Sequence, residues 1–143
     1  IQPLVVAQYP DAVNDPLFSV RAALIQERIT FFSEAPEMLA YFYQEPNVDL
    51  SIVCSAKQKV MQEDLPAIVT LLRTTLDAIP ESDWSHTSIQ AALEAAIPTS
   101  GFKKGQVLWP LRALLTGREY SPGAYEVAGL LTKEMVMRRM MVV

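Results

Sequence analysis

The feature that most constrains the fold is an apolar periodicity of three to four residues, broken at intervals by proline and glycine. It is clearest between Asp64 and Pro80, where apolar residues recur as they do along one face of an α-helix. No segment shows a convincing alternation of apolar and polar residues, which a half-buried strand requires. The sequence therefore predicts an all-α fold, with this inner face: Ile68, Leu72, Leu76 and Ile79.

Capping residues and prolines predict where the other helices of the first third begin. Asp15-Pro16 reads as an N-cap followed by proline at the first helical position, opening a helix that runs to about Ser33. Its predicted inner face ends at Phe32. Pro36 begins a shorter helix through Tyr43. The aperiodic segment 44–51 follows, so we expect two small helical subdomains packed together, residues 1–50 and 51–143.

The remaining helices are predicted from the same signals. Ser55 caps one that carries Val60 and Met61, and another covers about 88–97. A turn at 101–105 precedes a helix over 106–116, ended by Gly117. The last two helices begin at the N-caps Ser121, before Pro122, and Thr132.

Charge is distributed unevenly along the chain. Residues 1–100 carry five basic and thirteen acidic side chains, whereas residues 101–143 carry seven basic and three acidic ones, within a net charge of −4. The total argues against a nonspecific binder of nucleic acid or of an anionic membrane. The C-terminal excess predicts either a local anion-facing surface or an ordinary solvated helical face.

The residues that most chemistry requires are scarce. A single His86 and a single Cys54 exclude a disulfide framework and a zinc site of ordinary spacing. We expect His86 to be an exposed residue at a helix start and Cys54 a small half-buried apolar residue. No glycine-rich phosphate loop and no apolar run long enough to span a bilayer is present. The chain is therefore expected to hold no catalytic residue, cofactor or metal.

The most informative stretch lies in the C-terminal part. Residues 101–117 read GFKKGQVLWPLRALLTG, residues 121–126 read SPGAYE and residues 130–134 read LLTKE. Their order and spacing resemble the anticodon-binding region of bacterial-type glutamyl-tRNA synthetases, and Glu27-Arg28 and Trp84 match further family positions. Thr132 stands where that family usually has glycine, and Ala124 where a larger apolar residue is common. Segment 45–62 shows no family signature.

The resemblance implies an all-helical anticodon-binding domain that holds the anticodon loop of the glutamate tRNA. By position, Arg112 corresponds to the residue that hydrogen-bonds the first two anticodon bases, and its planar fork suits base-edge acceptors. The turn that lies against the first base corresponds to Ser121, Pro122, Gly123 and Ala124.

Other implied contacts lie outside that turn. Arg28 corresponds to the family arginine near the third anticodon base, where glutamate and glutamine tRNAs differ. The alternative is a helix-surface arginine that pairs with Glu27 or a nearby aspartate. Lys103, Lys104 and Arg118 are candidates for phosphate contacts, which position an RNA without reading its sequence. Trp109 is expected to pack beside Pro110, with stacking on a base as the alternative.

The catalytic signatures of the synthetase family are missing. One histidine cannot supply its ATP-site motif, and its mobile lysine-rich loop is absent. The resemblance implies that ATP and Mg²⁺ belong to an N-terminal catalytic domain of a longer, cytoplasmic parent enzyme; a start at Ile1 suits such a fragment. The competing hypothesis is a helical protein–protein module with an adaptable methionine surface: Met135, Met137, Met140 and Met141.

Overall fold

A computed structural model describes residues 2–26, 28, 29 and 31–142. Every regular element in these ranges is helical, and none of the described residues forms a strand, as predicted. The chain divides into two compact units, Ile1–Pro46 and Asn47–Val143. That division falls inside the aperiodic segment 44–51, a few residues before the predicted boundary at residue 50.

The first unit contains four short helices: α1 (Gln2–Gln8), α2 (Phe18–Ile25), α3 (Ala35–Met38) and α4 (Ala40–Tyr43). The prediction that α2 starts at Asp15-Pro16 and reaches Ser33 was wrong. Leu17 is its N-cap, and the helix ends at Ile25. Phe32, predicted to face inward, lies in a separate 3-10 turn with 68% of its surface exposed. The apolar periodicity continues past Ile25 without a stop signal, which is why the helix predicted from the sequence is too long.

Asp15 instead anchors a polar cluster beneath α2. Its Oδ2 atom accepts hydrogen bonds from the Tyr43 hydroxyl at 2.6 Å and from Arg21 Nη1 at 2.9 Å. The Asp15 and Arg21 side chains are only 7% and 10% exposed, and the guanidinium lies 4.7 Å from the centre of the Phe42 ring. Burial alone would raise the pKa of Asp15, but its hydrogen bonds and the Arg21 charge lower that pKa below the ordinary value. Burial, followed by the bond to Asp15, raises the pKa of Tyr43 to about 12.

Asp15→Asn is expected to destabilise the chain by about 1–3 kcal/mol near pH 6, because it removes the carboxylate charge that lies 2.9 Å from the buried Arg21 guanidinium. Since folding lowers the pKa of Asp15, the stabilisation by the carboxylate is present above the unfolded value and is lost as pH falls. Urea unfolding should therefore give free energies of unfolding that differ between wild type and variant above the unfolded-state pKa of Asp15 and approach each other as the pH falls through its lower folded-state pKa. The variant Asp11→Asn, at an exposed residue, is the control. A difference in the free energy of unfolding between the wild type and Asp15→Asn that does not change with pH would contradict the role of the Asp15 carboxylate.

The second unit is built on α6 (Leu65–Asp77) and α7 (His86–Ala96). The predicted inner residues Ile68, Leu72 and Leu76 of α6 are buried, and so is Ile79, two residues after the helix ends. Ile89 and Leu93 of α7 are fully buried. Residues Leu50–Val53 form a short helix, α5, which begins at the end of the aperiodic segment 44–51. The helix predicted to start at Ser55 was wrong. Residues 55–60 form a turn and not a helix, although Ser55 still accepts the backbone N–H of Gln58.

Three further helices complete the second unit: α8 (Lys104–Thr116), α9 (Ala124–Leu130) and α10 (Lys133–Arg139). Gly117 ends α8 in the left-handed conformation at φ 66°, as predicted. Thr132 caps α10, as predicted, by accepting the Met135 N–H. The predicted N-cap Ser121 was wrong, because α9 begins after Gly123 and without a side-chain cap.

Two contacts hold α9 against the start of α7. The Trp84 indole, two residues before α7, donates to the carbonyls of Ala128 and Leu131 at 3.0 Å each. Gly129 lies so close to α7 that an added Cβ would come within 2.6 Å of the His86 backbone nitrogen. Both contacts involve the C-terminal end of α9. Within the described ranges, no helix has the length and apolar character needed to cross a membrane.

Candidate nucleic-acid interface

The exposed side of α8 presents an aromatic ring and a cation side by side. The Trp109 indole donates to the Ile52 carbonyl at 2.7 Å, which fixes the ring against α5. The Arg112 guanidinium lies 4.8 Å from the centre of that ring, within the range of a cation–π contact. Trp109 is half-buried, so part of its surface stays accessible.

Arg112 also organises the connection from α8 to α9. Its Nη2 donates to the Glu119 carbonyl at 2.9 Å and its Nη1 to the Ser121 carbonyl at 3.1 Å. These bonds fold the connection back over the helix that carries Arg112. The arginine is therefore held in place from two sides, by the Trp109 ring and by two main-chain oxygens, and its orientation is fixed before any ligand binds.

The turn at 121–124 lies directly next to this arginine. The Ser121 hydroxyl donates to the Pro122 carbonyl at 2.9 Å, so the turn is closed by its own side chain. Pro122 and Ala124 are buried, whereas Gly123 is exposed and carries no side chain that would keep a ligand from the backbone.

Part of this arrangement borders an open cavity of about 350 Å³, which Ser121 and Pro122 do not line. Arg112, Gly123 and Ala124, which the sequence placed in one site, line it together with Leu108 and Trp109. Its remaining wall comes from Gln58 and Gly105, which sequence reasoning did not assign to the site. Gln58 comes from the segment without a family signature, and the only signal for Gly105 was its position at the end of the predicted turn at 101–105.

The three predicted phosphate contacts differ in their surroundings. Lys103 is exposed at the N-cap of α8. Lys104 lies 2.7 Å from Glu94 Oε1 and 5.8 Å from the centre of the Tyr125 ring. The hydrogen bond from Lys104 lowers the pKa of Glu94 and the same contact raises the pKa of Lys104, so both remain charged and offset each other. Arg118 is half-buried.

Arg28 belongs to the first unit. It lies exposed in the turn after α2, where its Nη1 donates to the Leu24 carbonyl at 2.9 Å. The prediction that it sits on a long helix was wrong, because α2 ends three residues earlier. Glu27, its suggested partner, lies outside the described residues.

The histidine, the cysteine and the acidic side chains were the other candidates for chemistry. His86 is exposed at the first position of α7, and Cys54 is half-buried, as predicted. The described residues bring together no group of three or more His, Cys, Asp or Glu side chains that would suit a metal ion.

Comparison with protein families identifies the class to which this all-helical chain belongs. The chain matches the model of the anticodon-binding domain over residues 2–143. It belongs to that family.

Within this family the chain is similar to part of several glutamate–tRNA ligases. It is 36% identical to the Clostridium acetobutylicum enzyme over 118 residues, which is 81% of this chain and 24% of that enzyme. It is 36% identical to the Acidothermus cellulolyticus enzyme over 129 residues, or 89% of this chain and 25% of that one. The chain thus spans about a quarter of the length of these relatives.

A solved structure shares the fold. It is the crystal structure of a glutamate tRNA ligase from Elizabethkingia meningosepticum in complex with its amino acid. The match has a TM-score of 0.79 and covers 95% of this chain and 26% of the ligase chain. The sequence identity is 20%, so this likeness establishes the architecture only.

Proposed function

We propose that this chain is the part of a glutamate–tRNA ligase that binds the anticodon loop of the glutamate tRNA. The observation that carries the proposal is the fixed Arg112, set against Trp109 and facing the cavity beside Gly123 and Ala124. Proteins usually recognise RNA sequence by taking unstacked bases of a loop onto aromatic or guanidinium planes and hydrogen-bonding their edges.

The geometry suits such a reading site. Trp109 and Leu108 offer an apolar surface for a base, Arg112 supplies donors for its edge, and exposed Gly123 admits the RNA backbone close to the turn. Lys103 adds an exposed charge next to the site for a phosphate. In this proposal Lys104 contributes less than the sequence suggested, since Glu94 offsets its charge.

The proposal is tested with a hairpin RNA that carries the anticodon loop of the glutamate tRNA. Filter binding should show tighter binding of this hairpin than of a hairpin with the same stem and a permuted anticodon. A chain that binds neither hairpin, or both equally, would contradict the proposed function.

The activation and transfer of glutamate belong, in this proposal, to a catalytic domain in the rest of a longer parent chain. The described residues do not fit ATP or Mg²⁺, because they offer neither a phosphate-cradling loop nor a suitable group of carboxylates. We therefore propose that both are held outside this chain, and no step of the reaction is assigned to it.

For the first unit we propose that Arg28 reads the third anticodon base. Arg28→Gln, in the full-length ligase, is expected to lower the preference for glutamate over glutamine tRNA by about five- to tenfold, because the base-edge contact is lost. Charging efficiencies with the two tRNAs measure this ratio. Arg73→Gln, an exposed arginine of the second unit, is the matched control. An unchanged ratio for the Arg28 variant would show that this arginine does not read the base.

A further inference from the structure

Gln58 forms one wall of the cavity. Its Oε1 atom occupies the space where a side chain on Gly105 would begin, only 2.7 Å from the position of an added Cβ. The carboxamide therefore lies over the backbone of the first turn of α8, and the absence of a side chain at residue 105 makes room for it.

The turn that carries Gln58 is closed by its own hydrogen bonds. The Val60 N–H donates to the Ser55 carbonyl at 2.9 Å, and the Gln58 N–H donates to the Ser55 hydroxyl oxygen at 3.4 Å. Lys59 adopts the left-handed conformation, with φ at 59°, which is unfavourable for a residue with a Cβ. Such backbone strain persists only where the surroundings impose it, and it is concentrated at functional sites.

A bridge to α8 imposes that conformation. The Gln106 side chain donates through Nε2 to the Lys59 carbonyl at 2.9 Å and accepts the Lys103 N–H through Oε1 at 2.8 Å. One glutamine thus ties the turn to the start of α8. The bridge fixes the position of the turn that carries Gln58 beside the cavity.

The Gln58 carboxamide makes no hydrogen bond to any part of the chain that the structure describes. A primary amide carries two donors and one acceptor, and it pairs well with a nucleobase edge that presents both an acceptor and a donor. The cavity beneath it is bordered by Leu108, Trp109 and Ala124, which suit the faces of a flat aromatic ring.

We propose that Gln58 is a specificity-determining residue of this cavity, whose carboxamide hydrogen-bonds the edge of one unstacked loop base lying against Trp109. This inference rests on the proposed function and adds a base-reading group to it. In this arrangement Arg112 and Gln58 approach the same nucleotide pocket from different elements, the first from α8 and the second from the strained turn.

The test uses the glutamate anticodon hairpin and three variants of it, each with a different anticodon base replaced. Gln58→Ala is expected to lower the wild-type discrimination at one anticodon position by about five- to tenfold, and to leave the other two positions unchanged. Gln62→Ala, an exposed glutamine four residues away, is the matched control and should change nothing. Discrimination equal to the wild type at all three positions for Gln58→Ala would overturn the inference.

A second variant removes the same contact and leaves residue 58 a glutamine. Gly105→Ala places a Cβ against the flexible end of the Gln58 side chain, which can move aside, so the fold should be retained. The displaced carboxamide should lose the same discrimination at the same position. Retained discrimination in this variant would also count against Gln58. If instead the wild type fails to distinguish glutamate from permuted hairpins, the proposed function itself fails.

Discussion

Replacing Arg139 with alanine is expected to destabilise the chain by about 3–5 kcal/mol, a large share of the stability of an ordinary domain. Arg139 is 1% exposed and is among the largest fully buried side chains. Its Nη1 donates to the Leu115 carbonyl at 2.7 Å, in the last turn of α8. The substitution removes a cation from a helix C-terminus, leaves that carbonyl without its donor and opens a cavity.

Urea unfolding followed by circular dichroism measures this loss, which corresponds to a fall in Tm of about 10 °C. The neighbouring Arg138→Ala provides the control. Arg138 is 54% exposed and lies 4.0 Å from Glu134, so its loss should cost less than about 0.5 kcal/mol. Arg139→Met refills most of the volume without restoring the hydrogen bond and should fall between the two. Equal effects of the two alanine variants would refute the buried role of Arg139.

The same contact changes how the C-terminal charge is understood. The sequence offered seven basic side chains between residues 101 and 143 as either an anion-facing surface or a solvated face. In the structure Arg139 donates to a main-chain carbonyl in the last turn of α8. Lys133 donates to the carbonyls of Asp77 and Ile79, at and just after the end of α6, both at 2.8 Å. A cation that caps a helix C-terminus and one that faces solvent look alike in sequence, because the acceptors come from distant elements.

The helices were predictable where both ends carry a signal. The segment α8 starts near a glycine turn and stops at Gly117, and α6 begins close to a proline and carries an unbroken apolar face. By contrast, α2 lacks a stop signal, so its apolar period was extended through Phe32, which the structure exposes. Periodicity locates the buried face of a helix, but only capping residues locate its end.

The site was predictable in part. Arg112 and the turn at 121–124 stand close together in the chain, and the structure places Arg112, Gly123 and Ala124 at one cavity, whereas Ser121 and Pro122 do not line it. Gln58 was not predicted, because a left-handed Lys59 and a bridge from Gln106 bring it there, and neither contact leaves a local pattern in the sequence. The methionine-rich end offers less surface than the competing protein–protein hypothesis assumed, since Met140 is fully buried.

Replacing Arg112 with alanine is expected to weaken binding of the glutamate anticodon hairpin by about 5- to 150-fold, the range for a lost base-edge contact. Two effects add up. The guanidinium that lines the cavity disappears, and the carbonyls of Glu119 and Ser121 lose the group that holds the connection to α9. Arg112→Lys keeps the charge but cannot form a planar fork, so it should recover little of the affinity.

The control separates base reading from simple charge. Arg73→Ala removes an exposed arginine of α6 that does not border the cavity, and it should reduce affinity only slightly and equally for glutamate and permuted hairpins. Arg112→Ala should instead reduce the difference in affinity between the two hairpins, because a phosphate contact attracts any RNA whereas a base-edge contact selects one. If Arg112→Ala weakened both hairpins by the same factor, Arg112 would hold the RNA backbone, and the reading of bases would fall to other groups of the cavity.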